Sequence, residues 1–200
     1  MKKIITIGRQ FGSGGREVGQ KIAQALHIAY YDKELLAVAA KKSGLSSQFM
    51  NTYDEKPTRS FLYSLVMGQR GLFSDSAEAT VEQLAANAQR DAILAVAGEG
   101  SCVIVGRCAD HILRNEQGLL RVFLTADHGD RIQRICRRDS VTTAEAEEKL
   151  QRMDRSRAAY YRFRCDQTWG AAANYDLCIN VSRWGVDAAV ETIVERCSRS

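Results

Sequence analysis

Gly12, Gly14 and Gly15, with Ser13 set among them, stand between an apolar run and the amphipathic stretch that opens with Arg16 and Glu17. Glycine reaches positive φ and carries no Cβ, so the backbone N–H groups of such a turn can converge on an anion at the positive end of the following helix. The chemistry this predicts is phosphate binding. The nearest pattern, G-x-x-x-x-G-K-[ST], is met only in part: its lysine position falls on Gly15 or Arg16, and its hydroxyl position on Arg16 or Glu17. An ordinary tight turn is the plain alternative.

A second concentration of chemistry lies in residues 121–165, where ten arginines are joined by a single lysine, Lys149. A guanidinium is a planar fork suited to bidentate grip on phosphate or carboxylate, which an ordinary solvated surface does not need. Asp127, Asp130, Asp139, Glu145, Glu147, Glu148 and Asp154 are interspersed, so two solvated helices laced by ion pairs remain an alternative. The same acidic residues break any long basic stripe, which disfavours a nucleic-acid partner.

Both features need elements to place them. Short continuous apolar runs at Lys3–Gly8, Ile28–Asp32, Cys102–Gly106, Leu120–Ala126 and Leu177–Val181 alternate with helical patterns, which predicts a buried parallel sheet covered on both faces. Gly15–His27 reads as a helix with Val18, Ile22, Ala25 and Leu26 on one face. Thr142 with Glu145, and Thr80 with Gln83, have capping-box spacing. Residues 33–99 read as an all-helical insertion between the second and third strands. The expected whole is one α/β domain over 1–200 with the first strand central. No apolar stretch is long enough to span a bilayer, no secretory leader pattern opens the chain, and the six scattered cysteines lack a C-x-x-C pair. These observations predict a cytoplasmic protein with reduced thiols and no membrane partner; they say nothing of its oligomeric state.

The segments that carry a family likeness are Gly-Arg-Gln-Phe-Gly-Ser-Gly-Gly-Arg-Glu-Val-Gly at 8–19, Tyr-Tyr-Asp-Lys-Glu-Leu-Leu at 30–36, Val-Ile-Val-Gly-Arg-Cys-Ala-Asp at 103–110 and Arg-Val-Phe-Leu-Thr-Ala-Asp at 121–127. Met-Asp-Arg-Ser-Arg-Ala-Ala-Tyr-Tyr at 153–161 and Asn-Tyr-Asp-Leu-Cys-Ile-Asn at 174–180 complete the set. Together they resemble the cytidylate kinase-like family of P-loop kinases over essentially the whole chain. The resemblance implies a P-loop-type fold with residues 33–99 as acceptor-binding insertion and 127–166 as an Arg-rich lid. It also implies ATP and Mg²⁺ as cofactors and transfer of a phosphoryl group to a nucleoside monophosphate, CMP or dCMP, or a similar small phosphorylated acceptor.

By position the resemblance assigns Gly12, Ser13, Gly14, Gly15, Arg16 and Glu17 to the ATP phosphates, and Asp32, Arg107, Arg131 and Arg157 to the acceptor. Asp154, Arg157 and Arg131 are then expected at the transferring group. A γ-phosphate in transit needs an adjacent cation, so Arg16, or in its place Arg9, is expected to substitute for the missing lysine, with Mg²⁺ held by phosphates, water and Glu17. The bland reading of Arg16 is a solvent-facing pair with Glu17 or Gln20. Asp32 could equally cap a helix over 33–42, Arg107 could simply close the end of the sheet, and Arg134 and Arg138 could be only solvated.

Cytidylate kinases proper carry the loop lysine with a following threonine, and Thr-Gly after the strand-two aspartate, where this chain has Lys33-Glu34. Nucleotide binding without transfer therefore stays open. So does a dinucleotide-dependent oxidoreductase, although its third glycine would fall at Glu17.

Overall fold

Ile4, Ile5 and Ile7 have no exposed surface, and an apolar run buried on both faces is what a central parallel strand requires. A computed structural model, which describes residues 2–32 and 81–199 with the side chains of 81–85 excepted, places this run in strand β1 (Ile4–Arg9). Four further strands follow: β2 (Ala29–Tyr31), β3 (Cys102–Val105), β4 (Leu119–Thr125) and β5 (Leu177–Asn180). All pairings are parallel, in the order β2-β3-β1-β4-β5, so β1 is central as its burial demands. The register sets Ile5 beside Val103 on one side and Leu120 on the other.

Two layers of helix close the sheet. On one face α1 (Gly15–Leu26) and the C-terminal helix α7 (Val186–Ser198) bury Val18, Ile22, Ala189 and Ile193 against Ile5, Ile7, Val103 and Val122. On the other, α2 (Val81–Glu99) and the short α3 (Ala109–Ile112) bury Ala92, Ile93, Val96, Ala97 and Ala109 against Ile4 and Ile104. The range expected as an insertion, 33–99, therefore shares its last turns with the sheet's own core. The rest of that range, including the Thr80 capping box and the helix Asp32 might cap, lies outside the described residues.

Beyond β4 come α4 (His128–Asp139), the long α5 (Thr143–Cys165), a 3-10 turn at Ala172–Asn174 and, after β5, the single turn α6 (Val181–Trp184). The expected lid is thus a helical hairpin, α4–α5. Its second arm starts where the sequence signals it: Thr142 accepts the Glu145 N–H, and Glu145 accepts from the Thr142 N–H at 2.8 Å, a reciprocal cap. Among the described residues no helix is long and apolar enough to cross a membrane.

Because that cap satisfies two helix-end donors at the arm carrying Asp154 and Arg157, Thr142→Ala is expected to cost about 1 kcal/mol in urea unfolding. Thr142→Ser, which keeps the hydroxyl, should stay within a few tenths of a kcal/mol of the parent.

Candidate active site

Strand β1 delivers the chain to the C-terminal edge of the sheet, where ligands of open α/β folds bind. The ladder extends one residue further, Gln10 N–H donating to Leu124 O at 3.0 Å, and then the backbone turns sharply. Gly12 and Gly14 sit at φ +79° and +87°, conformations costly to any other residue, and Gly14 is the N-cap of α1 with no side chain closing the helix end. The positive end of a twelve-residue helix is therefore left for an outside acceptor. The Ser13 side chain is fully buried in this turn, and its hydroxyl finds no protein hydrogen-bond partner among the described residues.

The lid arginines hold the turn from outside. Arg131 donates Nε to Phe11 O at 2.7 Å and pairs through Nη2 with Asp154. Asp154 also accepts the Phe11 N–H at 2.8 Å. Arg134 donates to Gly12 O at 2.8 Å and Arg157 to Arg9 O at 3.1 Å. The Phe11 ring, only 8% exposed, packs among Ile132, Ile135, Ala146 and Leu150, with the guanidinium carbons of Arg138 and Arg157 at 4.8 and 5.4 Å from its centre. The spacing of Arg131, Arg134 and Arg138 put them on one helix face, and that face meets the glycine turn. Neither Arg134 nor Arg138 is merely solvated.

A second knot forms at Asp32, which ends β2 and is 6% exposed. Its Oδ2 accepts from Arg16 Nε at 3.0 Å and lies 2.9 Å from Arg16 Nη2, and its Oδ1 lies 3.6 Å from Arg9 Nη2. Arg16 thus turns to Asp32, not to Glu17 or Gln20. Burial opposes its charge, but the Asp32 carboxylate outweighs that and raises its pKa. Burial also pushes the neighbouring Tyr30 phenol up to about 12, helped by the Asp32 charge.

Arg9 reaches Asp32 through a passage that only glycine allows. A Cβ on Gly15 would lie 2.7 Å from Arg9 Cβ, and one on Gly106 would lie 1.8 Å from Arg9 Nη1. Arg107, at φ +65°, follows immediately, its backbone O 3.4 Å from Gln89 Nε2, which also donates to the Tyr160 hydroxyl at 3.1 Å. Burial, then the charge of Arg9, lowers the Arg107 pKa to about 10. Gly8, Arg9, Gly106, Arg107, Arg157 and Tyr160 line one small cleft beside the turn. Crowded positive charge in a partly buried cleft favours an anion there.

The structure therefore gathers Gly12–Arg16, Asp32, Arg107, Arg131, Asp154 and Arg157 around one end of the sheet. Glu17 stands apart on the exposed side of α1, 3.8 Å from Lys21, which bonds Asp187 of α7 at 2.7 Å. Sequence reasoning missed Phe11, Gln89, Arg134 and Tyr160; an aromatic residue inside a Gly/Arg turn was the available signal for Phe11. The open helix end and Gly14 turn fit a phosphate chain. For a magnesium ion the turn offers single oxygens, such as Ser13 Oγ, and no cluster of three acidic, His or Cys side chains that could hold a metal occurs among the described residues. A metal here fits as one carried by the nucleotide's phosphates.

The chain is similar to known proteins over nearly its whole length. The chain is 24% identical over 212 residues to the cytidylate kinase of Methanopyrus kandleri, covering 96% of this chain and 95% of that protein. A solved structure of an uncharacterized protein from Eubacterium ventriosum superimposes with TM-score 0.75 at 28% identity over all of both chains. Shikimate kinase from Bacteroides thetaiotaomicron shares the fold, with TM-score 0.55 at 16% identity and 99% of each chain covered. The family model described as the cytidylate kinase-like family matches residues 4–183, and the chain belongs to that family.

Proposed function

We propose that this chain transfers the γ-phosphoryl group of ATP to a nucleoside monophosphate of the CMP or dCMP type, or to another small phosphorylated acceptor. The observation that carries the reading is the glycine turn at the open end of α1, flanked on one side by the Arg9–Asp32–Arg16 knot and on the other by Arg157. When the attacking group is already a phosphate oxygen no strong base is needed, and catalysis is in-line positioning with neutralisation of charge on two polyanions. ATP, bound with Mg²⁺, supplies the phosphoryl group and part of that neutralisation.

The chain's own residues divide the remaining work. N–H groups at the Gly12–Arg16 turn hold the donor phosphates. Arg107 and Asp32 orient the acceptor at the ends of β3 and β2. Arg157, the lid arginine that lines the cleft, reaches the transferring group. Arg9 takes the place of the missing lysine, since its side chain is 15% exposed and held in the glycine passage, whereas that of Arg16 is 55% exposed. Arg16 fixes Asp32 from the outer side. The absent lysine favours a second reading, in which ATP is bound but not transferred.

A coupled ADP-release assay with ATP, Mg²⁺ and CMP, dCMP, UMP, AMP, GMP or small non-nucleotide acceptors tests this function. ADP formation dependent on a phosphorylated acceptor is expected. Calorimetric ATP binding with no ADP from any acceptor would establish the second reading instead. Arg157→Ala should lower kcat about 100-fold, a loss of about 3 kcal/mol of transition-state stabilisation, with ATP affinity nearly unchanged.

The Arg9 assignment has its own check in a double-mutant cycle. Gly106→Ala displaces the Arg9 guanidinium and is expected to reduce kcat/KM about 100-fold. In an Arg9→Ala background the displacement is gone and only the strain of a side chain at φ +80° remains, so the same change should reduce it by clearly less than in the parent. Full additivity would remove Arg9 from the transfer step.

A further inference from the structure

The hydrogen bonds between hairpin and turn form a closed ring. Phe11 donates its N–H to Asp154, Asp154 pairs with Arg131, and Arg131 donates back to Phe11 O, so both backbone polar groups of Phe11 are engaged by two side chains that also engage each other. Arg134 takes the next carbonyl, Gly12 O. In a trans peptide the C=O and the following N–H point in opposite directions. Holding Phe11 O against Arg131 therefore directs the Gly12 N–H away from the hairpin, and holding Gly12 O does the same for Ser13, whose N–H closes the turn on Gln10 O at 3.3 Å.

The ring is also seated in apolar packing. Phe11 is the turn's contribution to the cluster with Ile132, Ile135, Ala146 and Leu150, and the Arg131 side chain is 7% exposed. Lifting the hairpin from the turn would expose that ring and separate a largely buried ion pair, both costly events.

We propose that the α4–α5 hairpin clamps the glycine turn through these contacts, and that Asp154, Arg131 and Arg134 are positioning residues that act on the nucleotide through the turn's backbone. The nucleotide half of this proposal rests on the phosphate-binding reading above; the clamp itself does not. Arg157 differs from the other three because it also lines the cleft. Phe11 provides the decisive test, since a phenyl ring has no charge to offer a phosphate, yet it belongs to the clamp as fully as Asp154.

The experiment combines amide hydrogen exchange at residues 10–15 with ATP·Mg²⁺ calorimetry on the full chain and on Phe11→Ala, Phe11→Leu, Asp154→Asn and Arg134→Ala. Exchange at positions 11 and 13, whose N–H groups are bonded to Asp154 and Gln10 O in the parent, should accelerate in Phe11→Ala, Asp154→Asn and Arg134→Ala while that of β3 stays at the parent rate. The Kd for ATP should rise about 10- to 100-fold in the same three variants, the range expected for loss of charge-assisted bonds that order the turn. Phe11→Leu, which refills much of the apolar seat, should recover most of both losses. If Asp154→Asn and Arg134→Ala, folded as the parent is, left turn exchange and ATP affinity within twofold of it while kcat fell, direct action on the phosphoryl group would replace the clamp. Exchange needs no nucleotide, so a chain that failed to bind ATP would refute the proposed function and still report on the clamp.

Discussion

One carboxylate joins the two halves of the site. Asp154, on the second arm of the hairpin, accepts a backbone N–H from Phe11, 143 residues earlier in the chain, and also pairs with Arg131 on the first arm. Both helices are thereby referred to one point at the end of the central strand. Arg131, among the most buried charged residues of the described chain, has its countercharge there, and without it a desolvated guanidinium would remain. The glycine turn gains a rigid outer wall from this arrangement, which a run of three glycines in four residues cannot supply by itself.

In lysine-bearing phosphate loops the cation belongs to the loop. Here positive charge comes from the strand before the turn, at Arg9, from the hairpin, at Arg131, Arg134 and Arg157, and from the end of β3, at Arg107. Asp32 balances part of it and fixes two of these directions, since Arg9 and Arg16 meet it from different oxygens. A planar guanidinium can donate to a carbonyl and lie against an aromatic ring at once, as Arg157 does with Arg9 O and Phe11, and an ammonium cannot match both geometries. Of the ten arginines in residues 121–165, Arg131, Arg134 and Arg157 each donate to a carbonyl of the turn or the strand end before it.

Much of this was legible in the sequence because it follows from periodicity. Continuous apolar runs marked all five strands to within a residue or two, and the Thr142–Glu145 spacing marked the start of α5. The shared face of Arg131, Arg134 and Arg138 was equally plain. The partners of Arg131 and Arg134 in the turn were not, because they are backbone carbonyls, which every residue carries and no pattern singles out. Proximity in the chain favoured Arg16 over Arg9, but the Arg9 side chain is placed by Gly106 and Asp32, both brought near only by the pairing of β3 with β1 and β2. Glu17 read as a possible metal ligand from its helix position alone; in the structure its side chain is exposed and 3.8 Å from Lys21, one turn further along α1.

The passage through which Arg9 runs has a bearing on descent. Gly15 and Gly106 form a mould for one side chain, yet each is also held by something else: at Gly15 the close atom is the Cβ that any residue but glycine carries at position 9, and Gly106 sits at φ +80°. A lineage that lost the arginine would therefore still keep both glycines, whereas one that filled either glycine first would have had to move the arginine. Among relatives the dependence should run one way, the arginine occurring only with both glycines and the glycines outlasting the arginine.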